Sequence, residues 1–271
     1  MFEFTKMHAC GNDYVYVNCF ERVIHRPAPL AVALSDRHTG VGADGLVLIE
    51  RSAIADAKMR MFNADGSEGA MCGNAVRCVA KYLHDNKMTR KRRITVETKS
   101  GVRTLWVNAK NITADMCAPR LHPREIPVLL DGENVVSRPV KIGGKRYEIT
   151  CVSMGNPHAV VFVPDTASLD LRKIGPLFEN SPLFPDRVNA EFVEIIGRNR
   201  LKMRVWERGS GETQACGTGA CAASVAAILN GYCDKNTEIK IILPGGTLTV
   251  IHTDTTIMMS GECVKVFEGR V

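Results

Sequence analysis

The chain has 271 residues, 45% hydrophobic and 24% charged, with a formal net charge of +6. That composition fits a protein with a real core, of one large or two ordinary domains. No apolar stretch approaches the length of a membrane span, and the positive balance is too weak and dispersed to imply nucleic acid as a partner.

In chain order, the first segment to stand out is MHACGNDYVYVN (7–18), where Gly-Asn precedes a β-rich run. The first ten residues, MFEFTKMHAC, carry no basic leader followed by an apolar stretch, so no secretory signal is expected. The ten cysteines then belong in a reducing, cytoplasmic setting. The pairs Cys72/Cys78 and Cys216/Cys221 lack CxxC spacing and a following His, so no metal is expected.

KMRMFNADGSEGAMCGNAVRCVAKYL (58–83) reads as an alternating strand, a Gly/Ser loop, a Cys-Gly step and a helix ending near Asn86. Arg90–Arg93 is a basic run that reads as a solvated turn. ITVETKSGVRTLWV (94–107) reads as a hairpin turning at Ser-Gly. APRLHPREIP (118–127) is Pro-rich and reads as a linker between halves.

The second half repeats the pattern at an offset of 144 residues without a gap. Gly11-Asn12 falls on Gly155-Asn156, and Cys72-Gly73 falls on Cys216-Gly217. Arg60, Glu68, Asn86 and Gly101 fall on Arg204, Glu212, Asn230 and Gly245. CVSMGNPHAVVFV (151–163) again puts Gly-Asn before a β run, and IKIILPGGTLTV (239–250) is again a hairpin. The 214–229 stretch, QACGTGACAASVAAIL, is apolar almost all round, so its helix should be enclosed by sheet. The expected architecture is two homologous halves, each rich in strands with one central helix.

A cysteine opening a helix meets unpaired N–H groups and the positive end of the dipole, which favours thiolate and lowers the thiol pKa. Gly73-Asn74 and Gly217-Thr218 then offer N–H groups to a carboxylate. Two such helix starts in register suggest two thiols flanking one molecule. A thiolate on one face of a carbon removes a proton, and a thiol on the other face returns one, inverting the centre. Two helix N-termini would stabilise the charge that builds on the adjoining carboxylate. No pyridoxal phosphate signature is evident.

MHACGNDYVYVN, FNADGSEGAMCGNAVRC, SMGNPHAVVF, FPDRVNAEF and ERGSGETQACGTGACA together resemble the diaminopimelate epimerase family, in order and over nearly the whole chain. The resemblance implies a cofactor-independent enzyme interconverting LL- and meso-2,6-diaminoheptanedioate, on the way to lysine and peptidoglycan. It implies Cys72 and Cys216 as the acid/base thiols. Gly73, Asn74, Gly217 and Thr218 would hold the reacting carboxylate. Asn12, Asn63, Asn156, Asn189, Glu207 and Arg208 would bind the rest of the substrate, and His158 and Glu207 would tune the thiols. It further implies an α+β fold of two pseudo-symmetric halves, 1–118 and 119–261, each a mostly antiparallel, barrel-like sheet wrapped around a central helix, with strand 262–271 returning to the first, and a homodimer. The substrate is a small diamino dicarboxylate, so neither nucleic acid nor membrane is expected as a partner. Some members have Gln where this chain has Gly45. Cys10, Cys78 and Cys221 read as core thiols. Two alternatives stay open: a proline or hydroxyproline racemase or epimerase of the same two-thiol plan, and a thiol-redox protein. A non-enzymatic anion-binding module gives no reason for paired thiols.

Overall fold

The computed structural model describes residues 1–109 and 111–271. The chain divides into two compact units, Met1–Asp115 with Ser260–Val271, and Met116–Met259.

In the first unit the strands are β1 (Glu3–Ala9), β2 (Asn12–Asn18), β3 (Gly45–Glu50), β4 (Ala57–Asn63), β5 (Glu68–Gly69), β6 (Arg93–Thr98), β7 (Gly101–Asn108) and β8 (Asn111–Asp115). Its helices are α1 (Pro27–Ser35) and α2 (Gly73–Asp85). β1 pairs antiparallel with β2, β3 with β4, β6 with β7 and β7 with β8. The β2·β3 and β4·β6 pairs are parallel, because α1 and α2 respectively carry the chain between them. β3, GLVLIE, is an unbroken aliphatic run, as a strand paired on both sides and covered on both faces requires. α2 packs against β1, β2, β4, β6, β7 and β8, so strands wrap it.

The second unit repeats this plan. Its strands are β9 (Arg138–Ile142), β10 (Lys145–Ser153), β11 (Pro157–Phe162), β12 (Asn189–Gly197), β13 (Arg200–Glu207), β14 (Gly211–Thr213), β15 (Ile239–Leu243) and β16 (Gly246–His252). Its helices are α3 (Leu171–Glu179) and α4 (Gly217–Leu229). The parallel pairs are β11·β12 and β13·β15, the counterparts of β2·β3 and β4·β6. α4 packs against β10, β11, β12, β15 and β16. Its run of Ala, Gly, Ser and Cys lets sheet approach from all sides, and Ala220–Ala227 are fully buried. Phe178 of α3 packs edge-on against Phe192, with centroids 5.4 Å apart, in the layer outside that sheet. β17 (Ile257–Glu262) crosses the boundary, and β18 (Val264–Arg270) pairs antiparallel with β1.

The 144-residue offset is visible in detail. Arg60 pairs with Glu68 at 2.7 Å, and Arg204 with Glu212 at 2.8 Å. Asn86 and Asn230 are both C-caps, and each amide donates to the carbonyl four residues back. The segment 118–127 departs from expectation. It is tied into the second unit rather than free, because Arg120 bridges Ser153 through both backbone bonds and Ile126 is buried. Its apolar residues give it a core to join.

Candidate active site

Each central helix begins one residue after a cysteine. Cys72 is the N-cap of α2 and Cys216 that of α4, both in extended backbone conformation. The residues that follow, Gly73-Asn74 and Gly217-Thr218, form the first turns, whose N–H groups have no partner four residues back.

In the first unit the Cys72 thiol lies 3.4 Å from Asn12 Oδ1, and Asn74 Nδ2 lies 3.4 Å from the same oxygen. Asn12 is fixed from the other side, where its Nδ2 donates to Asp44 Oδ2 at 2.8 Å. Asn74 is held from beneath by Arg77, whose Nη2 donates to Asn74 Oδ1 at 2.7 Å and whose Nε donates to Gly73 O at 3.2 Å. Arg77 is fully buried. Asn63 does not join this group. It is exposed, and its amide donates to Ser67 Oγ within its own loop at 2.9 Å.

Position 45 has no room for a side chain. A β-carbon there would overlap the carbonyl oxygen of Phe62 and approach the Tyr14 ring to 2.9 Å. The glycine is thus built into the β3·β4 pairing, and a longer residue needs the strand to shift.

In the second unit Cys216 Sγ accepts from Gly219 N–H at 3.3 Å and lies 3.4 Å from Thr218 Oγ1. Asn156 Nδ2 donates to Thr218 Oγ1 at 3.3 Å. Asn156 Oδ1 meets His158 Nε2 at 3.1 Å, and His158 Nδ1 meets Glu191 Oε1 at 2.7 Å. Asn189 and Arg208 form a separate group. Asn189 accepts from the Arg208 backbone N–H at 3.0 Å, and the Arg208 guanidinium donates to Asp186 O at 2.8 Å. Glu207 accepts from the Thr213 hydroxyl.

One expectation is corrected here. A helix N-terminus should lower a thiol pKa, yet Cys216 is pushed well above the usual thiol range. Burial is the main cause, followed by the negative charges of Glu207 and Glu191. The bonds from Thr218 and Gly219 offset this only in part. The neutral thiol is therefore the favoured state of Cys216, which suits a proton donor. Its thiolate, once formed, is a strong, poorly solvated base.

Glu191, Arg77, Asp44 and Thr213 escaped the reading of the sequence. Glu191 alone left a trace: an acidic residue between apolar neighbours near the start of the strand NAEFVEIIG. Among the described residues no three His, Cys, Asp or Glu side chains converge as a metal site would need. No helix of the described chain is long and apolar enough to cross a membrane.

Comparison with known proteins gives the family of the chain. The sequence model of the family described as "Diaminopimelate epimerase" matches residues 4–122 and 150–266. A diaminopimelate epimerase of Acetivibrio thermocellus is 54% identical over 275 residues, covering 99% of this chain and 98% of that protein. One from Methanococcus maripaludis is 48% identical over 276 residues, covering 99% of each. Among solved structures, a PhzF-family phenazine biosynthesis protein of Bacillus anthracis superposes with a TM-score of 0.71 at 18% identity, covering 100% of this chain and 98% of that one. A probable proline racemase from Agrobacterium radiobacter gives 0.68 at 14%, covering 100% and 93%. These two share the fold of two related halves.

Proposed function

The chain belongs to the diaminopimelate epimerase family, and from that premise we propose that it inverts one stereocentre of 2,6-diaminoheptanedioate through two thiols, Cys72 and Cys216. In one direction a thiolate takes the α-proton, and the charge left behind spreads into the adjoining carboxylate. The other thiol delivers its proton to the opposite face. The sulfurs finish with their protonation states exchanged, and exchange with solvent restores them. Running the reaction backwards exchanges the two roles.

The α-carbon is a very weak acid, so the developing charge must be met by fixed donors. Backbone N–H groups of Gly73, Asn74, Gly217 and Thr218 are assigned to that carboxylate. The distal end carries a second carboxylate and ammonium, for which Arg208 and Glu207 have the right charges. The amides of Asn12, Asn63, Asn156 and Asn189 supply both donors and acceptors. His158 and Glu207 are assigned to tuning the thiols. We further assign the chain to the cytoplasm, as a homodimer supplying lysine and peptidoglycan synthesis. A free small molecule is its substrate, with neither nucleic acid nor membrane as a partner.

What carries this reading is the cysteine N-cap of each central helix, followed by Gly-Asn or Gly-Thr. The test is epimerisation of the LL isomer in deuterated water under reductant. Deuterium should enter the product at the inverted carbon. Cys72→Ala and Cys216→Ala should each abolish inversion with the fold intact, and full activity in either variant refutes the two-thiol scheme.

A further inference from the structure

We infer that Glu191 is the positioning residue of the second thiol: from the core it anchors a part-buried hydrogen-bonded chain that runs Glu191–His158–Asn156–Thr218–Cys216. The inference rests on the two-thiol reading for its function but on geometry for its existence. The successive distances are 2.7, 3.1, 3.3 and 3.4 Å, all within the second unit. β11 and β12 run parallel with His158 opposite Asn189. Glu191, two residues further along β12, turns to the same buried side as His158, and both side chains have no exposed surface.

Proton directions follow from the partners. Asn156 uses its Nδ2 on Thr218, so its Oδ1 faces His158 Nε2. Nε2 must then carry a hydrogen. Nδ1 faces a carboxylate oxygen, so it carries or shares a second hydrogen with Glu191. The pair thereby holds two protons and stays neutral overall, which lets it sit in the core. His158 in turn fixes which way the Asn156 amide points, and Asn156 fixes the hydroxyl beside Cys216. Three titratable groups face the pair from neighbouring elements: Glu207 at the end of β13, Cys151 on β10 and Cys216 at the start of α4.

Helix α4 is cut to fit this carboxylate. A β-carbon at Gly219 would lie 2.7 Å from Glu191 Oε1 and 3.3 Å from Cys216 Sγ. At the equivalent positions of the first unit, 144 residues earlier, the chain has Val47, Ala75 and Tyr14 in place of Glu191, Gly219 and His158. The dyad is therefore present in one half of a repeated scaffold and is not part of the shared architecture.

The test uses the full-length protein labelled with ¹⁵N in histidine, as wild type, Glu191→Gln and Glu191→Ala. In wild type, the ¹⁵N signals should show a hydrogen on His158 Nε2 and a hydrogen bond between Nδ1 and the Glu191 carboxylate. In E191Q the flipped amide can still donate to Nδ1, so geometry survives, and Nδ1 should turn from donor to acceptor. kcat should fall about a hundredfold in E191A and at most about tenfold in E191Q, with KM moving far less. A His158 Nε2 that bears no hydrogen in wild type, or an Nδ1 signal left unchanged by E191Q, overturns the inference. So does an E191A enzyme with kcat within about threefold of wild type. E191Q, nearly isosteric, decides the matter if E191A fails to fold. The nitrogen signals need no turnover, so an active Cys216→Ala enzyme would sink the two-thiol reading while leaving the anchor standing or falling on its own.

Discussion

Gly219→Ala should destabilise the protein, although helix propensity alone favours it by about 1 kcal/mol. Gly219 lies inside α4, and no left-handed backbone excuses the glycine. Space does. The added methyl would sit 2.7 Å from Glu191 Oε1, 3.2 Å from Cys216 Cβ and 3.3 Å from Cys216 Sγ. The first is well inside van der Waals contact, and Glu191 is fully buried with His158 holding it at 2.7 Å. The carboxylate must retreat and weaken that bond, or the helix start must tilt and carry Cys216 with it. Overpacking of this kind costs about 1–3 kcal/mol, and a contact this short on a buried carboxylate belongs at the upper end, so a net loss of up to about 2 kcal/mol remains after the propensity gain. Urea unfolding followed by circular dichroism measures it, and epimerase turnover should fall more than tenfold in the same sample. The double variant Gly219→Ala/Glu191→Val, which copies Ala75 and Val47 of the first half, should recover stability without recovering turnover. A single variant more stable than wild type and fully active would refute the reasoning.

Three further outcomes are expected. Gly45→Gln, the residue some relatives carry, should lower the thermal midpoint, because its β-carbon overlaps the Phe62 carbonyl; differential scanning calorimetry reads this, and an unchanged midpoint would count against the packing argument. Stability should also fall at alkaline pH. Burial holds Cys151 up at about 12, whereas an unfolded thiol ionises near 8.5. The folded state therefore keeps a proton that the unfolded state loses, and this contribution is present below about pH 8.5 and lost as pH rises toward 12; Cys151→Ala should flatten the dependence of urea stability on pH between 8.5 and 11 by about one proton. Finally, Glu207→Gln should move the pH inflection of Cys216 alkylation downward, since it removes one of the negative charges that raise that thiol; no shift, with the fold intact, would remove Glu207 from the electrostatics.

Most of the architecture was legible because duplication writes everything twice. Gly-Asn before a strand and Cys-Gly before a helix are weak signals singly, but at one shared offset they fix the elements and their order. Parallel pairing was less legible, because β2·β3 and β11·β12 depend on where α1 and α3 return the chain. Placement was legible where residue type alone carries the signal: Cys72 and Cys216 cap α2 and α4, and Asn12 and Asn156 lie beside those first turns. It was illegible where chemistry depends on neighbours from other strands. Helix position suggested an acidic thiol at Cys216, but burial beside Glu191 and Glu207 reverses that direction, and no spacing in the sequence brings those carboxylates to it.

The two halves keep one backbone plan yet support their thiols by opposite means. Beneath Cys72 the chain of amides Asn12 and Asn74 ends on the buried cation Arg77. Beside Cys216 the chain through Asn156 ends on the His158–Glu191 dyad. Position 77 corresponds to Cys221 and position 158 to Tyr14, so neither support has a copy in the other half. An inverting enzyme has reason for this difference. On the two-thiol scheme proposed above, the two sulfurs must be in opposite protonation states at the start of each turnover. Carboxylates near Cys216 favour its neutral thiol. The sequence repeat supplies the shared backbone plan, and the residues that break the repeat surround each thiol differently.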